Sequence, residues 1–123
     1  GDEWSELKEK INANPLVLYF KTGKTQIDLS AEDRQKVADM KKYLDHVESA
    51  RLDVVGHTDD VGSRDTNIRL GQQRADFAKN YLVENGISVN KIISDSKGPD
   101  EPLMDNSTRE GRAKNRRTVV KIN

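Results

Sequence analysis

Apolar positions along this chain fall into two rhythms. Trp4, Leu7 and Ile11 recur at steps of three and four, which predicts a short amphipathic helix over residues 3–12. Asn14-Pro15 ends it, because the residue before a proline is pushed away from helical geometry. Leu16-Val-Leu-Tyr-Phe20 is a compact apolar run of strand type, and the polar stretch Lys21 to Gln26, with Gly23 inside it, reads as a loop. Ser30-Ala-Glu-Asp33 is a capping-box pattern, and the helix it opens carries Val37, Met40, Leu44 and Val47 on one stripe. Arg51 to Gly56 alternates like a strand, and His57 to Asp65 is a polar loop turning at Gly62.

The next helix is expected from about Thr66 to Asn85, with Leu70, Phe77, Tyr81 and Leu82 as its inner face and Gly86 as its stop. Lys91 to Ser96 predicts a third strand, and Gly98-Pro99 to Asn106 a loop. Ser107-Thr-Arg-Glu110 reads as a second capping box opening a short helix through Lys114. Thr118 to Ile122 closes the chain as a strand rich in β-formers. The order β-α-β-α-β-(short α)-β, preceded by a helical extension over residues 1–14, predicts an α/β (α+β) sandwich over residues 15–123, with helices packed on a mixed four-stranded sheet.

Composition narrows the function classes. With 21 basic and 21 acidic residues among 123, the formal net charge is zero, whereas phosphate-holding proteins carry a positive excess; nucleic acid is not an expected partner. Adsorption to an anionic membrane is disfavoured for the same reason, and no apolar run is long enough to span a bilayer. Without cysteine, neither a disulfide nor a thiolate metal site can form. Gly1-Asp2 reads as a cut point, so an export signal or lipid anchor is expected to precede it.

Among candidate chemical residues, Asp59 follows the C-terminal end of a strand, the rim where α/β folds bind ligands. Taken alone, it more often means a turn or a helix cap. Arg74 lies at steps of four and three from Leu70, Phe77 and Tyr81 and so points inward, which requires a partner. Its side chain leans toward the helix N-terminus, where the Asp59 loop arrives. The pair reads either as a structural brace or as a ligand site. Asn67 either caps this helix or meets a ligand at its start. Arg116 and Arg117 point to opposite sides of their strand, so only one can share a given pocket. His57, Asp59 and Asp60 are candidate metal ligands, but the other histidine, His46, lies on the helix opened by Ser30 with no matched partner spacing. Ser63 near His57 has no nucleophile-elbow context. Neither catalysis, a metal nor a cofactor is expected.

Three stretches then act together. Gly56-His-Thr-Asp-Asp-Val-Gly-Ser63, Asn67-Ile-Arg-Leu-Gly-Gln-Gln-Arg-Ala75 and Gly111-Arg-Ala-Lys-Asn-Arg-Arg117 resemble the strand-loop, N-x-x-L-S-x-x-R-A and closing G-R-A-x-N-R-R motifs of the OmpA-like C-terminal domain, with Gly71 where serine is usual. The resemblance runs from Leu16 to Ile122. It implies non-covalent binding of peptidoglycan through the diaminopimelate of the stem peptide, in the periplasm. A segment preceding this chain would join it to the outer membrane, and other envelope proteins are further partners. Asp59 and Arg74 match the family's ligand pair, Thr58 and Asn67 match supporting positions, and Arg116 matches the pocket-facing arginine. Lys21 stands where the family often has an acidic residue; it and Leu70 are accessory candidates. Lys21 also motivates a competing reading, a protein-interaction module that keeps the scaffold without the ligand. In the wall-binding reading, alanine at Asp59 or Arg74 is expected to remove binding and spare the fold.

Overall fold

The computed structural model describes residues 2–123. Its elements are α1 (Glu3–Ala13), β1 (Leu16–Tyr19), α2 (Ala31–His46), β2 (Leu52–His57), α3 (Arg64–Glu84), β3 (Ile92–Gly98), α4 (Arg109–Asn115) and β4 (Arg117–Ile122), with a 3₁₀ turn at Val89–Lys91 before β3. The four strands form one sheet in the order β1-β4-β2-β3. β4 runs antiparallel to both β1 and β2, while β2 and β3 are parallel, so the sheet is mixed as the element order predicts.

One face of the sheet carries the core. Leu16, Leu18, Leu52, Val54, Val120 and Ile122 point from the strands into a cluster with Ile11 of α1, Val37, Met40 and Leu44 of α2, and Ala75, Ala78 and Leu82 of α3. The capping box at Ser30 and Asp33 forms in both directions and fixes the start of α2. The helix at residues 3–13 joins the same core through Ile11, and the Asn12 carboxamide exchanges hydrogen bonds with the Ile122 backbone at 2.7 and 2.9 Å. Trp4 stacks on His46 with ring centroids 3.8 Å apart, which ties α1 to the end of α2.

Two local expectations are corrected. The helix after the long β3–α4 loop is capped by Thr108, whose hydroxyl accepts from Gly111 N, so the cap lies one residue beyond Ser107. The inner face of α3 is also rotated from the one the large side chains suggest. Its buried residues are Asn67, Gly71, Arg74, Ala75, Ala78 and Leu82, while Leu70, Phe77 and Tyr81 are only partly buried. The cause is a close crossing of α3 over β2. A Cβ added to Gly71 would stand 3.1 Å from the Gly56 carbonyl oxygen, and one added to Gly56 would overlap the Gly71 carbonyl. Backbones that approach this closely admit only glycine at the contact itself, with alanine beside it and larger residues at its flanks.

Candidate functional site

At the C-terminal end of β2 the chain leaves the sheet through Thr58 and Asp59. Both are buried, at 1% and 7% exposure. Thr58 turns its hydroxyl onto the Asp59 carbonyl at 2.7 Å, and its own N–H bonds Gly98 O at 2.9 Å, so the turn is held to β3. Asp59 Oδ1 accepts from Val61 N at 3.2 Å. Its Oδ2 receives Arg116 Nη1 at 3.3 Å, an ion pair whose side chains are 10% and 14% exposed. Arg116 Nε is held by the Phe20 carbonyl at 2.9 Å. Arg117, its neighbour, goes to the far side of the sheet, as strand alternation requires.

Ser63, not Asn67, caps α3, through a bond from Thr66 N. Asn67 is freed from that role. Its Nδ2 donates to Val61 O at 2.9 Å and braces the loop that carries Asp59.

Arg74 points inward as its spacing predicts, and it is completely buried. Its partners are not carboxylates. Nε donates to Lys24 O at 2.9 Å, Nη1 to His57 O at 3.1 Å and Nη2 to Lys21 O at 3.3 Å. Its guanidinium carbon lies 5.3 Å from the Phe20 ring centroid, in cation–π range. Burial pushes the Arg74 guanidinium down to about 10, opposed by nearby Asp59 and reinforced by Arg116. The structure thus brings Asp59, Thr58, Asn67, Arg74 and Arg116 into one corner, but with the ion pair on Asp59–Arg116. Arg74 lies beneath the Lys21–Lys24 loop and has no open surface. Lys21 contributes its carbonyl there while the residue is exposed, and Leu70 is partly buried one turn before Arg74.

The closing motif contains a residue whose role periodicity does not reveal. Asn115 is fully buried; its Oδ1 accepts from Leu103 N and Met104 N, and its Nδ2 donates to Met104 O and Asn106 Oδ1. It fastens the β3–α4 loop to the junction of α4 and β4, where Arg116 stands. An asparagine with four satisfied positions is suited to this, and its place between a helix and a strand was the available signal.

The match to known proteins follows this geometry. The sequence model of the OmpA family covers residues 19–116, which include Asp59, Asn67, Arg74, Asn115 and Arg116. The chain belongs to the OmpA family. It is 36% identical over 94 residues to outer membrane protein A of Bordetella avium, covering 76% of this chain and 48% of that protein. It is 35% identical to the peptidoglycan-binding protein ArfA of Mycobacterium tuberculosis, over 97% of this chain and 36% of that one. This OmpA-family chain therefore spans half or less of these relatives. Its fold matches the crystal structure of the peptidoglycan-associated lipoprotein from Burkholderia pseudomallei with a TM-score of 0.79 at 22% identity, covering 90% of this chain and 92% of the other.

Among the described residues no group of three or more His, Cys, Asp or Glu side chains is placed to hold a metal ion, and no helix is long and apolar enough to cross a membrane.

His57 links the corner to the rest of the OmpA-type sheet. Its carbonyl holds Arg74, while its ring is buried on the far side, where burial, then Arg117 and Lys97, push it from the ordinary 6.5 down to about 4. Between those values the unfolded chain binds a proton that the folded chain refuses. The contribution of the neutral ring is complete above pH 6.5 and drains away as pH falls toward 4. Urea unfolding at pH 7, 6 and 5 is expected to show stability falling by on the order of 1 kcal/mol per pH unit in this window. His57→Gln is expected to flatten that slope.

Proposed function

We propose that this domain binds peptidoglycan non-covalently, through the diaminopimelate side-chain end of the stem peptide, and performs no catalysis. The supporting observation is the shielded Asp59–Arg116 ion pair at the strand rim, with the Arg74 cation beneath it. The end of diaminopimelate carries an ammonium and a carboxylate on one carbon. Such a zwitterion exchanges partners with an existing ion pair without leaving any charge unmatched. Asp59 takes the ammonium, and the Arg116 fork takes the carboxylate. Arg74 supplies positive potential from below and reaches the ligand carboxylate when the Lys21–Lys24 loop lifts. Asn67 and Thr58 hold the loop that aims Asp59. The name of the mycobacterial relative, a peptidoglycan-binding protein, agrees with this reading. In a longer protein the domain would act in the periplasm, anchoring an outer-membrane or envelope component to the wall through a preceding segment.

Asp59→Asn keeps the side chain's shape and removes its charge. Its affinity for a diaminopimelate tripeptide is expected to fall by about 2 kcal/mol or more, roughly thirtyfold, in calorimetry. Sacculus pull-down is expected to fail in parallel. A stem peptide with lysine in place of diaminopimelate lacks the carboxylate and leaves an arginine unmatched, so it should bind at least about tenfold more weakly. Wild-type affinity in Asp59→Asn, or equal affinity for the two peptides, defeats the proposal. Absence of any heat with the wild-type domain favours the protein-interaction reading instead.

A further inference from the structure

The face of the sheet turned away from the core has its own chemistry. Val17, Val119 and Val55 stand side by side across β1, β4 and β2, and Tyr19 and Arg117 are paired in the next row. Tyr19 and Ile93, on the two edge strands of this face, are 43% and 52% exposed. Between the rows lies an open cavity of about 340 Å³, lined by Val55, Val119, His57, Arg117, Lys97 and Lys121. That volume is at the low end for a ligand site and suits a short segment.

Two groups in the cavity wall are underused. Arg117 is only 8% exposed, yet its guanidinium meets just the Asn115 carbonyl at 3.4 Å and the Glu101 carbonyl at 3.2 Å. His57 is 4% exposed, and among the described residues nothing hydrogen-bonds its Nδ1. Buried polar groups normally have partners, so an arginine held by only two carbonyls, beside an imidazole with one unpartnered nitrogen, keeps donor capacity for an incoming anion. Lys97 and Lys121 add charge: among the described residues no carboxylate pairs with either at salt-bridge distance. Two carboxylates also line the cavity. That of Asp53 is occupied by Asn123 Nδ2 at 3.1 Å to both oxygens, and Glu101 is exposed and offers Arg117 its backbone oxygen.

We propose that this face is a second binding site, for a peptide segment of a partner protein that places a carboxylate on Arg117 and an apolar side chain on the adjoining valines. The valine row selects against a free phosphate, which has no use for an apolar floor. The small excess of positive charge selects against a nucleic acid, which demands a broad basic surface. A carboxylate next to an aliphatic side chain meets both features: a guanidinium fork and a half-buried apolar strip. The site is separate from the Asp59 rim and does not depend on peptidoglycan binding.

The test is an NMR titration of the ¹⁵N-labelled domain with acetyl-Val-Glu-Val-Glu-amide, with acetyl-Val-Gln-Val-Gln-amide as control. The acidic peptide is expected to shift the Val55, His57 and Val119 signals saturably at about millimolar concentration or below. The glutamine peptide should bind at least tenfold more weakly. Lys97→Gln/Lys121→Gln alters two exposed side chains, so the fold is retained while the response to the acidic peptide drops severalfold. Arg117→Lys, which keeps charge but loses the fork, should lower it further. Asp59→Asn should leave it unchanged. No shift of these signals at about ten times that concentration, equal binding of both peptides, or shifts confined to Thr58, Asp59 and Asn67 overturns the proposal.

Discussion

Arg74→Ala is expected to destabilise the domain by about 3–5 kcal/mol, in addition to any effect on ligand binding. The side chain is among the largest that are fully buried, so truncation leaves a void that its neighbours fill incompletely. It also strips the donors from the carbonyls of Lys21 and Lys24 in the β1–α2 loop and of His57 at the end of β2. The β1–α2 connection then loses its tie to the end of β2. A urea midpoint measured on Arg74→Ala beside wild type checks this. Arg74→Lys keeps the charge and one donor direction, so it should fall between the two. A near-wild-type midpoint for the alanine variant would show that those carbonyls find water easily, and that the arginine is held for ligand alone. The structure therefore revises the expectation that alanine at this position spares the fold. Asp59, whose side chain is held only by the Val61 N–H and Arg116, remains the cleaner probe of binding.

Gly56→Ala should cost about 3 kcal/mol or more, because the new methyl meets backbone and not a side chain that can turn aside. It overlaps the carbonyl of Gly71 and lies 3.1 Å from Ala75 N, so α3 itself must move off β2. That displacement carries Ala75, Ala78 and Leu82 out of register with the core. Gly71→Ala is the instructive companion. Its Cβ meets the Ser96 hydroxyl first, and the Gly56 oxygen at 3.1 Å second. Removing the hydroxyl in Gly71→Ala/Ser96→Ala should recover part of the loss, whereas no single side-chain truncation should rescue Gly56→Ala. Thermal or urea unfolding of the three variants distinguishes the cases. Equal stability of Gly56→Ala and wild type would mean that the helix–sheet spacing has slack.

The same crossing explains what was legible in the sequence and what was not. The element order could be read because each strand and helix repeats its apolar period over several residues, and because Asn14-Pro15, Ser30 and Gly86 punctuate it. The face of α3 could not be read from its large residues. Gly71, Ala75 and Ala78 add little to any hydrophobic stripe, yet the parallel β2–β3 pair beneath demands small residues there. Arg74 was correctly placed inside by its spacing, but its partners are backbone oxygens, and a carbonyl has no residue identity to betray it. The pairing of Asp59 with Arg116 joins positions far apart in sequence through the register of β4, which no local period encodes. Thr108 took the cap from Ser107 because either hydroxyl fits the pattern and only the path of the incoming loop chooses between them.

The carbonyl cradle around Arg74 has a kinetic consequence. In the wall-binding reading, a guest that reaches this cation must first break hydrogen bonds that hold a loop shut, so capture waits on an opening event and its observed rate should level off as muropeptide concentration rises. The path out crosses the same barrier. A tether built this way engages slowly and lets go slowly, a trait suited to bridging two layers of an envelope that shift against each other.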